Sequence, residues 1–438
     1  MVSFLGILGL IFIAWVFSAK RKKIIWKPVI WGVLLQIVFG MIVMSPKSGQ
    51  FFFNVVDKGV KKLLYFSEEG AAFVFQATQP HTAKSLNFAT GKMDDVFVPG
   101  GGKEFRNKIS PIMKTFAFWV LPTIIFFSAL MTVLYHIGIM GCIIKFFAFI
   151  MQKTMGTSGA ETLSAAANIF VGQTEAPLVI KPFVEKMTKS ELHSVMVGGF
   201  ATVAGGVMAA YVSFLKDYIP GIAGHLVTAS IMSAPAALAI SKVIYPETEE
   251  PQTKGKLKAV IEKPDANVIE AAARGATEGW KLALNVAAML IAFVGLVSLI
   301  NYFLGIVGLS LEMILSWVFA PISWMMGVPW NECSIVGTLL GEKLVLTEFL
   351  AYIHLGEIMR SGIDAGGGNT VFLSQRSAVI ASYALCGFAN FASIGIQIGG
   401  IGGIAPSRRS DLAKLGLRAM AGGAIAACMT GTIAGIFY

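Results

Sequence analysis

Charge is what this chain has least of. Asp, Glu, Lys and Arg make up 14% of its 438 residues, against roughly a quarter in ordinary globular proteins. With an apolar content of 55% and a mean hydropathy of +0.71, that scarcity excludes a cytosolic enzyme and a disordered chain. Cysteine is scarce too. Cys142, Cys333, Cys386 and Cys428 sit in apolar surroundings and form no CxxC, which excludes a disulfide scaffold and reads as buried packing. The five histidines fall in no HExxH or comparable metal spacing, and the chain lacks a phosphate loop and a nucleophile elbow. Acidic residues are the minority charge, 25 against 35 basic, for a net +10. In a polytopic chain such an excess marks cytoplasmic loops by the positive-inside rule, and nucleic acid is not expected as a partner.

What the sequence does have is long uncharged runs. About 20 apolar residues cross a bilayer as a helix. Val2–Ala19 is followed by Lys20-Arg21-Lys22-Lys23. A signal peptide carries its positive charges before the apolar run, so this span is expected to remain, with its N-terminus outside. Further runs at Pro28–Met44, Phe116–Met140, Leu192–Leu215, Ile219–Ile240, Leu282–Leu304, Ser377–Ile404 and Ala419–Tyr438 bring the expected spans to eight. Alternation puts both termini outside and places Lys181, Lys186, Lys189, the Lys254–Lys281 loop, Arg408 and Arg409 inside. Lys58–Lys62 and the group Lys103, Arg106, Lys108 and Lys114 fall outside, against the rule. Gln50–Phe66 carries Phe52, Val56, Val60, Leu63 and Leu64 on one face and reads as an interfacial helix. Gln76–Ser110 reads as a polar loop, Tyr245–Glu270 as a cytoplasmic connector and Ser361–Asn369 as a Gly-rich loop.

Two apolar stretches do not read as spans. Thr162–Ile180 holds Gly172-Gln173-Thr174-Glu175-Ala176-Pro177, and Cys333–Gly356 holds Lys343 and Thr347-Glu348. Each is expected to be a re-entrant hairpin, because broken backbone at membrane depth survives only inside protein or along a wet cavity. Downstream of each lies a related segment, Gly199-Phe200-Ala201-Thr202-Val203-Ala204-Gly205 and Gly387-Phe388-Ala389-Asn390-Phe391-Ala392-Ser393. Hairpin plus span thus occurs twice, the first hairpin opening inward and the second outward. That is an inverted repeat of the kind that holds substrate near the midplane. A carboxylate at the centre of a span costs about 2.5–3.5 kcal/mol, so Glu175 and Glu348 need a function or a partner. With Gln173, Thr174, Asn390 and Ser393 they supply amides, hydroxyls and carboxylates, suited to a neutral polyhydroxylated ligand with an amide-like ring. No Arg or Lys stands among them to pair a phosphate or carboxylate.

At this point the residues resemble a known family. Asn168-Ile169-Phe170-Val171-Gly172-Gln173-Thr174-Glu175-Ala176-Pro177, Thr347-Glu348-Phe349-Leu350-Ala351-Tyr352 and Cys386-Gly387-Phe388-Ala389-Asn390-Phe391-Ala392-Ser393-Ile394-Gly395 resemble the signatures of concentrative nucleoside transporters. Ser233-Ala234-Pro235-Ala236 and Tyr245-Pro246-Glu247-Thr248-Glu249 add to the likeness, which runs from about Phe116 to the end. The resemblance implies an all-α polytopic membrane protein: eight transmembrane helices, two re-entrant hairpins and interfacial helices, assembled as a homotrimer in which each protomer has its own path. It implies inward movement of nucleosides on a cation gradient, without an organic cofactor. Gln173, Thr174 and Glu175 would face the nucleobase; Glu348, Asn390 and Ser393 would hold the ribose, with Phe388 beside the sugar. For sodium, the matching positions are Asn168 and Thr202 by side chain and Val171 and Val203 by carbonyl.

The resulting expectation is a sodium-coupled nucleoside importer working by alternating access, not an enzyme. It would be a multi-pass protein of a bacterial inner membrane. Residues 1–115 form the N-terminal helices, interfacial helix and loop; residues 116–438 form the transporter core, with repeats at about 162–240 and 331–438. Proton coupling is the alternative within transporters. A membrane enzyme using Glu175 and Glu348 as acid and base, and a channel with a carboxylate selectivity ring, are the rivals outside it.

Overall fold

The computed structural model describes residues 2–45, 48–75, 81–87, 92–98, 116–255, 265–364 and 370–438. Three helices come first: α1 (Val2–Val16), α2 (Trp26–Met44) and α3 (Ser48–Phe75). The expected interfacial helix is α3, which at 28 residues runs beyond Phe66 to Phe75. Its amphipathic pattern continues past the charged stretch, so nothing ends it there. The expected loop at Gln76–Ser110 needs correction. Strands β1 (His81–Asn87) and β2 (Lys92–Val98) pair antiparallel, His81 opposite Val98. The polar and glycine content of the segment masked the strand-forming Val96-Phe97-Val98. The remainder of that segment lies outside the described residues.

After a π-helical turn, Phe116–Val120, come α4 (Leu121–Ile137) and α5 (Ile139–Met155). Helix α5 was not anticipated; its 17 residues fell short of a span. Left-handed Gly138 separates it from α4, and Gly156 ends it.

The first hairpin begins at α6 (Gly159–Ala167), started by a capping box in which Ser158 and Glu161 serve each other's backbone N–H. The chain turns at Asn168–Glu175 and returns through a 3-10 segment, Ala176–Ile180, and the single turn α7 (Lys181–Val184). Next follows α8 (Lys189–Ala201), opened by a second capping box, Thr188 with Glu191. Residues Thr202–Ala204 are extended, and α9 (Gly205–Leu215) resumes. The expected Leu192–Leu215 span is therefore a broken helix. Helix α10 (Ile222–Ile244) is mostly apolar, with Lys242 as its one Lys, Arg, Asp or Glu, and almost wholly buried, as a helix at the centre of a bundle is expected to be.

Helix α11 (Val268–Gly305) leaves apolar side chains such as Ile291, Leu299 and Phe303 exposed, a surface matched to lipid. It is followed by α12 (Leu311–Met325) and α13 (Trp330–Val345), which meet at a 117° bend. The sequence reading gave α12 no place, because its 15 residues are too few to span. The second hairpin is α13 with α14 (Glu348–Ser361). In the expected Gly-rich loop a minimal ribbon forms, β3 (Ile363–Asp364) against β4 (Thr370–Val371). The Ser377–Ile404 run is not one helix either. It divides into α15 (Gln375–Leu385) and α16 (Phe391–Ile404), with extended residues between, before α17 (Arg409–Phe437) closes the chain.

Among the described residues, six helices or gently broken helices are long and apolar enough to cross a membrane, and the α12–α13 pair passes the same test as a bent unit. The other two expected spans are the 15-residue α1 and the divided α15–α16. The order hairpin, broken helix, long buried helix occurs twice: α6 to α10, then α13 to α17. The two breaks touch. Gly387, with φ of +131°, lies so close to the other break that a Cβ there would sit 2.6 Å from the Phe200 carbonyl oxygen.

Candidate functional site

Breaking a helix creates new termini, and here they converge. Asn390 is the N-cap of α16: its Oδ1 accepts from the Ser393 backbone N–H at 2.9 Å. That fixes the sense of the amide, so its Nδ2 points away and donates to Glu348 Oε2 at 2.8 Å. Glu348 is the first residue of α14, behind the N-cap Thr347, whose hydroxyl accepts from Leu350 N–H. A carboxylate in the first helical turn is favoured by the exposed N–H groups of that turn. The other Glu348 oxygen accepts from the Tyr211 hydroxyl of α9 at 2.9 Å. Both oxygens of a buried carboxylate are thus satisfied, which is what burial demands.

The turn of the first hairpin folds on itself. Glu175 Oε2 accepts from the Gly172 N–H at 3.0 Å. Gln173 is buried and donates to Ser393 Oγ at 3.2 Å, joining hairpin 1 to α16. Thr174 rests on Gly400, where a Cβ would come within 2.8 Å of its methyl group.

Between the two turns lies a cavity of about 480 Å³, within the usual range of small-molecule sites. Gln173, Thr174, Glu175, Glu348, Phe388, Asn390 and Ser393, the seven residues singled out for substrate, all line it. Opposite them α11 contributes Glu278, Lys281, Asn285 and the apolar Leu282, Val286 and Met289, and Ser128 of α4 and Val207 of α9 add to the wall. A second cavity of about 330 Å³ shares Glu175 and Glu278 with the first and runs toward Arg274 and Lys181. At that end Arg274 is held by Asp265 at 2.7 Å and Glu278 at 2.9 Å.

The positions singled out for sodium lie beside the first hairpin turn. Asn168 is wholly buried, and neither its Oδ1 nor its Nδ2 has a partner among the described residues. An unmade buried hydrogen bond costs about 1–3 kcal/mol, so this amide is held at a cost. Gly198 makes room for it: a Cβ there would lie 3.1 Å from Asn168 Nδ2. Thr202, at the α8–α9 break, is buried and donates to the Gly198 carbonyl at 2.8 Å, which leaves its lone pairs available. Val203 is buried in the same break, and Val171 borders the second cavity.

Sequence reasoning passes over two residues, Tyr211 in an apolar run and Gln397 in a glycine-rich one, and assigns Lys343 no partner. Lys343 is buried and donates to the Ala384 carbonyl at 2.8 Å, beside the Cys386–Asn390 break. The signal available was their cost: a polar side chain inside a membrane helix needs a partner.

Comparison with known proteins now discriminates among transporters, enzymes and channels. Family models described as the Na+ dependent nucleoside transporter N-terminus and C-terminus match residues 5–78 and 225–435, and one described as nucleoside recognition matches 117–218. The chain belongs to the concentrative nucleoside transporter family. It is 40% identical to solute carrier family 28 member 3 of Mus musculus over 449 residues, all of this chain but 58% of the mouse protein. The chain therefore spans less than two thirds of the length of that curated relative. An uncharacterized transporter of Bacillus subtilis, YutK, is 42% identical, with 99% of this chain and 98% of YutK aligned. CNTnw in an inward-facing, substrate-bound state superposes with a TM-score of 0.83 at 39% identity, over 100% of this chain and 98% of that one. An outward-facing CNTnw variant gives 0.83 as well. The family consists of transporters rather than enzymes, and its fold, with the apolar helices above, makes this an integral membrane protein.

Proposed function

We propose that this chain imports nucleosides by sodium symport, with the nucleoside bound in the cavity between the two hairpin turns. The observation that carries the reading is the convergence of seven polar and aromatic residues, from two hairpins and one broken helix, on one cavity. Their chemistry matches a nucleoside: a carboxylate and an amide for ribose hydroxyls, amide and hydroxyl groups for a ring edge, and Phe388 for an apolar face. Sodium is assigned to Asn168, Thr202, Val171 and Val203. The amide of Asn168 and the hydroxyl of Thr202 are hard oxygen donors, and carbonyls of an unwound segment are the usual supplement.

Sodium binds first in this scheme. It ties the Asn168 turn to the Thr202 break and so holds Gln173, Thr174 and Glu175 in place. The nucleoside then completes the network with Glu348, Asn390 and Ser393. Hairpins and broken helices move together past the remaining helices, exposing the cavity to one side and then the other. Residues 1–115 and 116–438 remain the proposed division, with repeats at about 162–240 and 331–438 of opposite membrane sense. The assembly is a homotrimer in a bacterial inner membrane.

Uptake of labelled uridine and adenosine into proteoliposomes tests the reading, with an inward sodium gradient compared against potassium at matched pH and voltage. Accumulation above equilibrium on the sodium gradient is the expected result. Accumulation only on an inward proton gradient would keep the substrate and move the coupling ion elsewhere.

A further inference from the structure

Gln397 lies wholly buried in α16, one turn beyond Ser393. Its Nε2 donates twice, to the Met196 carbonyl oxygen of α8 at 3.0 Å and to Gln173 Oε1 at 3.1 Å. An amide has two interchangeable ends, and what surrounds it decides which way it points. The Met196 carbonyl can only accept, so the atom facing it is the nitrogen. The same nitrogen faces the Gln173 side chain, so Gln173 must turn its oxygen there. Its nitrogen is left toward Ser393 Oγ and the cavity. A backbone carbonyl thus fixes one glutamine, which fixes the next. The arrangement is built for this contact: a Cβ on Gly199 would lie 2.7 Å from Gln397 Nε2 and 2.9 Å from the Gln173 Cβ. Gln397 Oε1 has no partner among the described residues, so the buried amide is kept at some cost.

We propose that Gln397 is a positioning residue that locks Gln173 as a hydrogen-bond donor, so that the site reads an exocyclic carbonyl on the nucleobase in preference to an amino group. This rests on the nucleoside reading above. Uridine and cytidine, and inosine and adenosine, differ chiefly by that exchange. A group that donates to a carbonyl meets another donor when an amino group takes its place, and an unmatched buried pair is discriminated against strongly.

The test measures KM for these four nucleosides with wild type, Gln397→Leu and Gln397→Glu in proteoliposomes under one sodium gradient. In Gln397→Leu the Gln173 amide is free to rotate, and the amino-over-carbonyl KM ratio is expected to fall at least about fivefold in both pairs. Gln397→Glu keeps the shape, and in its carboxylic acid form it has one proton where the amide had two: that proton goes to the Met196 carbonyl, the lone pairs of the same oxygen face Gln173, and Gln173 turns its nitrogen toward them, so the preference reverses. The glutamate variant also keeps the test open if the leucine variant fails to fold. Unchanged ratios in a folded variant, with KM either unaltered or raised equally for all four, would overturn the proposal and make Gln397 a packing residue. A wild-type protein that moves none of the four would overturn the nucleoside reading, and the proposal with it.

Discussion

Glu348 is held from two sides, by the Tyr211 hydroxyl and the Asn390 amide, and a glutamine there turns one of those donors against its own N–H₂. Glu348→Gln is expected to lower uptake at least about a hundredfold, while size exclusion and thermal unfolding report a folded protein; normal uptake would remove Glu348 from the site. Tyr211→Phe leaves one carboxylate oxygen without its donor, so KM should rise roughly three- to tenfold. Thr202→Ala should raise the sodium concentration for half-maximal uptake, and an unchanged sodium dependence would discard the ion assignment. Residues of this kind were legible in unequal measure. Thr347 and Asn390 are cap-forming types standing where a helix restarts, and a carboxylate in an apolar run announces itself. Tyr211 and Gln397 were not legible, because their partners lie 137 and 224 positions away in the chain and only the fold brings them together.

Among elements, the first hairpin is anchored at its base by a buried ionic cluster. Lys242 of α10 pairs with Glu161 of α6 at 2.7 Å and donates to Ser190 of α8 at 2.9 Å, and Ser158 donates to Glu191 at 2.5 Å. Lys242→Met leaves Glu161 charged and buried with its cation gone, which costs about 3–5 kcal/mol. A clear drop in unfolding temperature is expected; an unchanged one would show the cluster to be dispensable. Gly387→Ala sets a Cβ into the Phe200 carbonyl at a positive φ, and loss of folded protein is the expected outcome on expression. Long apolar runs made most spans legible. The breaks inside them were less so, since periodicity does not register three extended residues, and α5 and α12 escaped because length was the criterion.

For the whole molecule, a scheme with one sodium per nucleoside moves one positive charge with each neutral substrate. A potential of 100 mV then contributes about 2.3 kcal/mol, roughly a fiftyfold ratio of inside to outside substrate. Uridine added with sodium should evoke an inward current that scales with uptake, and silent uptake would exclude this stoichiometry. Contact between the two breaks also bears on how such a chain can change over generations. The segment around Gly387 fits the backbone at Phe200 and Ala201, so neither half can be replaced alone without disturbing the other. Chimeras that exchange one half with a relative such as YutK should fail to accumulate, and those that exchange both halves together should be recovered. A crossover between the repeats would then be the kind of recombination that selection removes.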